Sequence, residues 1–319
     1  MTVTSTCSAL ALTLTLFGSG GAAAQMALFD AADYGKAQFP ARESTGDAAR
    51  YIAAREGGAF ESIAELAPAD RLAQQARPIG RIDMLIRNRR TGEEGTSACT
   101  GALLGGGLVL TNHHCLPQEG EIEVLQASIL MDYLTLDGRA SQRYELDPKP
   151  LDWNADLDFA VARVPAGTPS DSFGHVTISA SPEGVGTARV VIHHPLGKPK
   201  VMSRFRCMHL ADRSFDPFVA HRCDTLPGSS GSLLFDDRGI AVALHRAGGL
   251  TPDDPSSFNT AVDIARILEI SPILAESIAA QDAAPAAPAD PADPTTPAAR
   301  DTGQTGLSTN QMNDILRGE

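Results

Sequence analysis

Positive charge is scarce in this 319-residue chain. It holds 26 Lys and Arg against 39 Asp and Glu, a formal net charge of −13. Such a surface repels a phosphate backbone, so nucleic acid is not an expected partner. Beyond the N-terminus no run is apolar enough to span a membrane, so no membrane contact is expected once the N-terminal segment is gone. No CxxC pair and no internal repeat occur, which removes the usual zinc-ribbon spacing. What remains is ordinary globular composition, 43% apolar and 20% charged. The length suits one large domain or two small ones.

The N-terminus carries a short apolar core, ALALTLTLF (Ala9 to Phe17), followed by small residues ending in Ala22-Ala23-Ala24 before Gln25. This reads as a secretory signal over residues 1–24, although no Lys or Arg precedes the core. The destination is then secreted or periplasmic. Cys7 leaves with the signal, and Cys99, Cys115, Cys207 and Cys223 remain. An even count in an exported chain suggests two disulfides. CTGALLGGGLVLTNHHC reads as strand, glycine turn, strand. A hairpin at Gly105–Gly107 brings Cys99 and Cys115 within bridging distance. Cys207 and Cys223 pair by default.

Residues 25–77 are Ala- and charge-rich with helical spacing, and read as a propeptide or an N-terminal arm. At IGRIDMLIR the texture changes, and to about residue 262 short β-type runs alternate with turn signals, among them LVLTN, IEVLQASILM, FAVARV and GSLLF, within a domain expected over 78–281. That spacing predicts an all-β sandwich or pair of barrels. Residues 263–280 are helical, with Pro272 as a break or a second start. Residues 282–319 are a Pro/Ala-rich linker and a short tail, expected to be disordered.

The stretch CDTLPGSSGSLLF places three serines among glycines before an apolar strand. A serine hydroxyl becomes a nucleophile when a neutral imidazole takes its proton and a carboxylate orients that ring. LVLTNHHCL offers His113 and His114 at the end of an apolar strand. Strand alternation would turn one of them inward and the other outward. A metal held by His113, His114, His193 and His194 lacks a clear third-ligand spacing. DWNADLDFAVARV offers Asp152, Asp156 and Asp158. Gly228 and the residues after it can turn backbone N–H groups toward one point, as an oxyanion site requires. Ser230 lies between Gly228 and Gly231, where its oxygen can be exposed while its N–H points inward.

LVLTNHHC, DFAVARV and PGSSGSLLF, in that order, resemble the three catalytic blocks of the chymotrypsin-like serine proteases. The nearer likeness is to the bacterial secreted branch of glutamyl endopeptidases and trypsin-like enzymes, and VIHHPLGKPK resembles a loop of that branch. The resemblance covers about residues 79–262. It implies two perpendicular six-stranded antiparallel β-barrels with a C-terminal helix, peptide or protein substrates, and no cofactor. It assigns His114 as general base, Asp158 as orienting acid, Ser230 as nucleophile, and the N–H groups of Gly228 and Ser230 as oxyanion donors. It also supports the Cys99–Cys115 pair.

One departure stands out. Animal trypsins carry an aspartate before the nucleophile, which pairs with a newly cut N-terminus, and Ser229 stands there instead. The residue six before the nucleophile is Asp224, which the resemblance places at the base of the specificity pocket and which favours Arg or Lys. His245 in ALHRAGG resembles the histidine with which glutamyl endopeptidases bind an acidic side chain. Charge sign favours the basic preference. The competing readings are a protease-like binding protein without turnover and a glutamyl-specific endopeptidase.

Overall fold

Val-, Ile-, Leu- and Ala-rich runs bounded by Gly, Pro and Asp are the strands of this protein, as their β propensity requires. The structure is a computed structural model, and it describes residues 27–40, 46–179, 188–251 and 254–283. The signal segment and nearly all of residues 282–319 lie outside the described residues.

The N-terminal part supplies β1 (Ala27–Phe29), α1 (Gly46–Glu56), β2 (Glu61–Ser62) and α2 (Arg71–Ala76). Then follow β3 (Ile79–Asn88), β4 (Glu94–Leu103), β5 (Leu108–Thr111), β6 (Ile122–Met131), β7 (Gln142–Leu146), β8 (Asp152–Asn154), β9 (Phe159–Arg163) and α3 (Pro169–Phe173). The second half supplies β10 (Val190–His193), β11 (Val201–Ser203), β12 (Phe218–His221), β13 (Leu233–Phe235), β14 (Ala241–Ala247) and β15 (Asn259–Asp263). Two helices close the described chain, α4 (Ile264–Ile270) and α5 (Pro272–Ala283).

The strands form two antiparallel sheets. The eight-stranded one runs β7-β6-β3-β4-β5-β9-β8, with β1 paired to β4. The seven-stranded one runs β12-β15-β14-β13-β10-β11-β2. The expected pair of six-stranded units is therefore enlarged, and residues 25–77 add one strand to each sheet. β1 pairs Ala27 with Ala98, and β2 pairs Ser62 with Val201. One buried apolar cluster runs between the sheets, with Ile79, Leu110 and Phe159 from the first and Ile192, Met202 and Phe235 from the second. Pro272 opens α5 rather than bending one long helix. Just before it, the Ser271 hydroxyl donates to Asp152 Oδ2 at 2.5 Å and accepts from Leu274 N–H at 3.2 Å.

A buried ion pair fastens the N-terminal segment to the first sheet. Arg81 is fully buried and pairs with Asp83 at 2.6 Å. The same guanidinium donates to the carbonyls of Lys36, Ala37 and Gly197 at 2.9, 2.6 and 2.7 Å. It lies 4.1 Å from the Phe39 ring and 4.7 Å from the Tyr133 ring. Removing one partner leaves a buried uncompensated charge, which costs far more than losing an exposed pair. Asp83→Ala should lower the unfolding free energy by about 3–5 kcal/mol. Glu94→Ala, which breaks the exposed Arg87–Glu94 pair, should cost about 1 kcal/mol or less. Denaturant melts of the two variants check this, and equal losses would contradict it.

Four histidines of the second half, His193, His194, His221 and His245, are buried. Burial drives the pKa of His193 and His245 down to about 3, and those of His194 and His221 well below the ordinary value. An unfolded chain takes up protons on these rings near pH 6.5 while the folded chain refuses them. Their contribution is therefore complete above about pH 6.5 and is lost as the pH falls toward 3. Each ring should subtract about 1.4 kcal/mol per pH unit in that window. Denaturant midpoints should drop steadily from pH 6 to pH 4, and a flat profile would contradict the neutral burial of these rings.

Candidate active site

β5 ends at Thr111, and His113–Cys115 form a single 3-10 turn. The alternation argument for the two histidines therefore fails, because they are not on a strand and both are buried. Their ring partners separate them. His113 stacks on Trp153 at 4.7 Å, its Nε2 accepts from Gln118 N–H at 3.3 Å, and burial lowers its pKa. His114 donates from Nδ1 to Asp158 Oδ2 at 2.8 Å and from its backbone N–H to Oδ1 at 2.9 Å. One carboxylate thus fixes both the ring and the main chain of His114. Because Nδ1 carries the proton, the lone pair lies on Nε2. That atom is buried and has no hydrogen-bond partner among the described residues.

Asp158 is held in turn. Its φ is 52°, unusual for a side-chain-bearing residue, and its carbonyl accepts from Asn112 Nδ2 at 2.8 Å. Asp156 is exposed in the same turn, and Asp152 is taken by Ser271. The Cys99–Cys115 disulfide joins β4 to the histidine turn, and a second bridge joins Cys207 to Cys223. The sulfurs of Cys99 and Cys115 lie within 4.8 Å of the His114 ring, but a disulfide sulfur offers no thiolate to a metal.

The loop carrying Ser230 is pinned by its carbonyls. Pro227 O accepts from Leu196 N–H at 2.6 Å, and Gly228 O from the Thr100 hydroxyl at 2.9 Å. Ser229 O accepts from Ser232 N–H at 3.1 Å, and Ser230 O from Thr100 N–H at 2.8 Å. A planar trans peptide points its N–H opposite its C=O. Ser229 N–H is taken by Leu226 O and Gly231 N–H by His245 O. The N–H groups of Gly228 and Ser230 make no hydrogen bond among the described residues. Gly228 has φ 97°, and a Cβ there would stand 2.7 Å from His194 O, so glycine is required at that position. Ser230 is buried at 6% exposure, and its hydroxyl is not hydrogen-bonded to His114 Nε2. The structure thus joins base to acid directly and leaves the base-to-serine link unmade.

A cavity opens beside Ser230, lined among others by Arg50, Thr225, His245 and Asn259, with no Asp or Glu in its wall. Asp224 is not part of that wall. Its backbone carbonyl accepts from Ser203 Oγ at 2.9 Å, and burial raises its carboxyl pKa against the opposing pull of Arg50, Arg222 and Arg206. The next residue, Thr225, lines the cavity instead. Its hydroxyl oxygen accepts from Asn259 Nδ2 at 3.0 Å, and the other Asn259 amide hydrogen goes to Cys223 O at 2.7 Å. Asn259 Oδ1 accepts from Gly249 and Leu250 N–H groups. The amide is therefore fully used, and the Thr225 hydroxyl proton is not.

His245 does line the cavity, and its tautomer is fixed from behind. Cys223 N–H donates to His221 Nδ1 at 3.3 Å, which leaves the His221 proton on Nε2. That proton is donated to His245 Nδ1 at 3.0 Å. The His245 proton must then sit on Nε2. Sequence reasoning missed Arg50, Thr225 and His221. Arg50 arrives from a segment with no motif, and Thr225 differs from the expected residue by one loop position.

Parts of the chain are similar to known proteins. Residues 99–244 match the family model of the trypsin-like peptidase domain. Over 170 residues the chain is 31% identical to the uncharacterized protein y4fB of Sinorhizobium fredii, a match covering 47% of this chain and 25% of that protein. The chain thus spans about a quarter of that relative's length. The HtrA-type protease AlgW, in a variant form with tripeptide, superposes with a TM-score of 0.50 at 14% identity, covering 67% of this chain and 64% of that one. The active form of the Rv3671c protease from M. tuberculosis gives 0.44 at 18% identity, covering 62% and 81%. Residues 99–244 thus match a trypsin-like peptidase domain, and the two antiparallel sheets share the fold of that HtrA-type protease.

Proposed function

We propose that this chain is an exported endopeptidase that works through an acyl-enzyme and cuts after acidic residues. His114 is the base, Asp158 orients it, and Ser230 is the nucleophile. The observation that carries the catalytic part is the 2.8 Å Asp158–His114 bond, which leaves Nε2 as the only basic atom of that ring. Ser230 Oγ attacks the substrate carbonyl carbon while its proton passes to His114 Nε2. The new oxyanion is held by the N–H groups of Gly228 and Ser230. His114 then protonates the leaving amine and the C–N bond breaks. Water, deprotonated by the same imidazole, releases the acid and restores the serine. The contact between Ser230 and His114 forms as substrate enters, since catalytic hydrogen bonds commonly tighten only in the complex.

Export is supported by the signal-like N-terminus and two disulfides. Among the described residues no helix is long and apolar enough to cross a membrane. Residues 25–77 act as a retained arm rather than a propeptide, because a strand of this segment pairs into each sheet.

The acidic preference replaces the basic one. The cavity wall lacks Asp224 and holds the His245 ring, the Thr225 hydroxyl and the Arg50 guanidinium, the last also donating to Asp47 at 3.2 Å. A substrate carboxylate accepts from the Thr225 hydroxyl and from Arg50, and no acidic residue of the wall pairs with a lysine or arginine.

Ser230→Ala should abolish at least ~1,000-fold of the turnover while the protein still melts as a folded unit. A serine-directed phosphonate should label wild type and not the variant. A folded wild type that neither cleaves peptides nor takes the label would favour a binding protein. Peptides with Glu before the cut bond should exceed matched Lys peptides in kcat/KM by ~100-fold or more. Arg50→Gln should reduce that ratio about tenfold, the worth of one charge-assisted hydrogen bond. Faster cleavage of the Lys series would restore Asp224 as the specificity residue.

A further inference from the structure

The aspartate that in trypsins stands before the nucleophile is replaced by Ser229, and a buried histidine faces it. Ser229 Oγ lies 2.7 Å from His193 Nδ1 and accepts from Leu226 N–H at 3.2 Å. His193 Nε2 lies 3.1 Å from Ser203 Oγ, and Ser203 Oγ lies 2.9 Å from Asp224 O. The direction of every proton follows from the ends. Asp224 O is a carbonyl and only accepts, so the Ser203 hydroxyl donates to it. Ser203 Oγ must then accept from His193 Nε2–H. His193 Nδ1 is left bare and accepts the Ser229 proton. The chain of bonds starts at Leu226 N–H and ends at Asp224 O, so it closes back on the segment that carries the oxyanion donors.

We infer that His193 is a positioning residue for catalysis, and that the Ser229–His193–Ser203 relay holds the oxyanion loop in its working shape without any newly cut N-terminus. The turn it braces, Leu226 to Ser229, contains the Pro227–Gly228 peptide whose N–H is one oxyanion donor. Ser229 N–H also returns to Leu226 O at 2.9 Å, so the turn is tied by both the main chain and the side chain of Ser229. All members are neutral and shielded. His193, Ser203 and Ser229 are fully buried, and burial keeps the imidazole uncharged. The seal includes the retained arm, since Phe60 stands edge-on to the His193 ring at 5.2 Å and is itself 2% exposed. The site is therefore assembled in the uncut chain. This inference rests on the peptidase reading for its kinetic consequence, but the relay itself is a property of the resting protein.

The test uses the mature chain with residues 25–77 in place. Ser229→Ala and His193→Phe should each lower kcat about 10- to 100-fold, with KM moving less than about threefold, because the loss falls on the oxyanion and not on substrate binding. Affinity for a peptide aldehyde, whose adduct oxygen occupies the same donors, should fall by a like factor. The double variant should be no worse than the poorer single variant by more than about threefold, as expected for one coupled unit. Ser203→Thr should keep the activity that Ser203→Ala loses. If His193→Phe does not fold, Ser229→Ala and the Ser203 pair decide. A Ser229→Ala enzyme with kcat within about twofold of wild type, or a loss confined to KM, would overturn the inference. Nitrogen NMR of the resting wild type separates this from a failure of the peptidase reading. A proton on Nε2 and a bare, hydrogen-bonded Nδ1 support the relay even in an inert protein, and the opposite tautomer refutes it.

Discussion

A planar peptide cannot turn its C=O one way without turning its N–H the other, and the site of this protein is built on that constraint. Four consecutive carbonyls, from Pro227 to Ser230, are each held by a named donor. Two of the anchors come from Thr100, which uses both its N–H and its hydroxyl. A third comes from Leu196, in the turn between β10 and β11. With the carbonyls held, the free N–H groups of Gly228 and Ser230 have their orientation decided before any substrate arrives. Electrostatic stabilisation of this kind is effective because nothing has to reorganise during the reaction.

Thr100 also explains how two sheets with separate hydrogen-bond ladders make one site. It is adjacent to Cys99, whose disulfide reaches Cys115 beside His114. The same short segment of β4 therefore places His114 through a covalent bond and the Ser230 loop through hydrogen bonds. Its hydroxyl accepts from His194 N–H at 3.1 Å while donating to Gly228 O. The Thr111 hydroxyl donates to Thr100 O at 2.8 Å, so β5 holds this strand in register with the loop. A Cβ on Gly231 would run into Thr100 O and the Thr111 hydroxyl, which is why the nucleophile must be followed by glycine. Rigid elements carry the reacting groups, and the loops between them are held by groups of opposite hydrogen-bond sense.

The strands were legible in the sequence because their signals are local, and so was the pairing of His114 with Asp158. IEVLQASILM reads as a strand and is one, residue for residue, in β6. His114, Asp158 and Ser230 each sit in a short motif whose composition reflects the turn it makes. The disulfides were legible for a similar reason, since both span 16 residues. The parts that escaped depend on distant partners. Nothing around Phe29 or Glu61 announces that these residues join two different sheets. The cavity lining differed by one position, since Thr225, held by Asn259, is in the wall and Asp224, whose carbonyl is held by Ser203, is not. The hydroxyl partners of His193 were not legible, because they lie 36 and 10 residues away in the sequence.

The central claim is that the oxyanion donors are in place before substrate binds, and a crystal structure of the mature chain carrying a phosphonate on Ser230 tests it most directly. The account predicts a phosphonyl oxygen about 2.7–3.1 Å from the backbone nitrogens of both Gly228 and Ser230, with the Pro227 and Gly228 carbonyls still bound to Leu196 and Thr100. An adduct whose oxygen faces solvent, or one that forms only after the Pro227–Gly228 peptide has flipped, would contradict it.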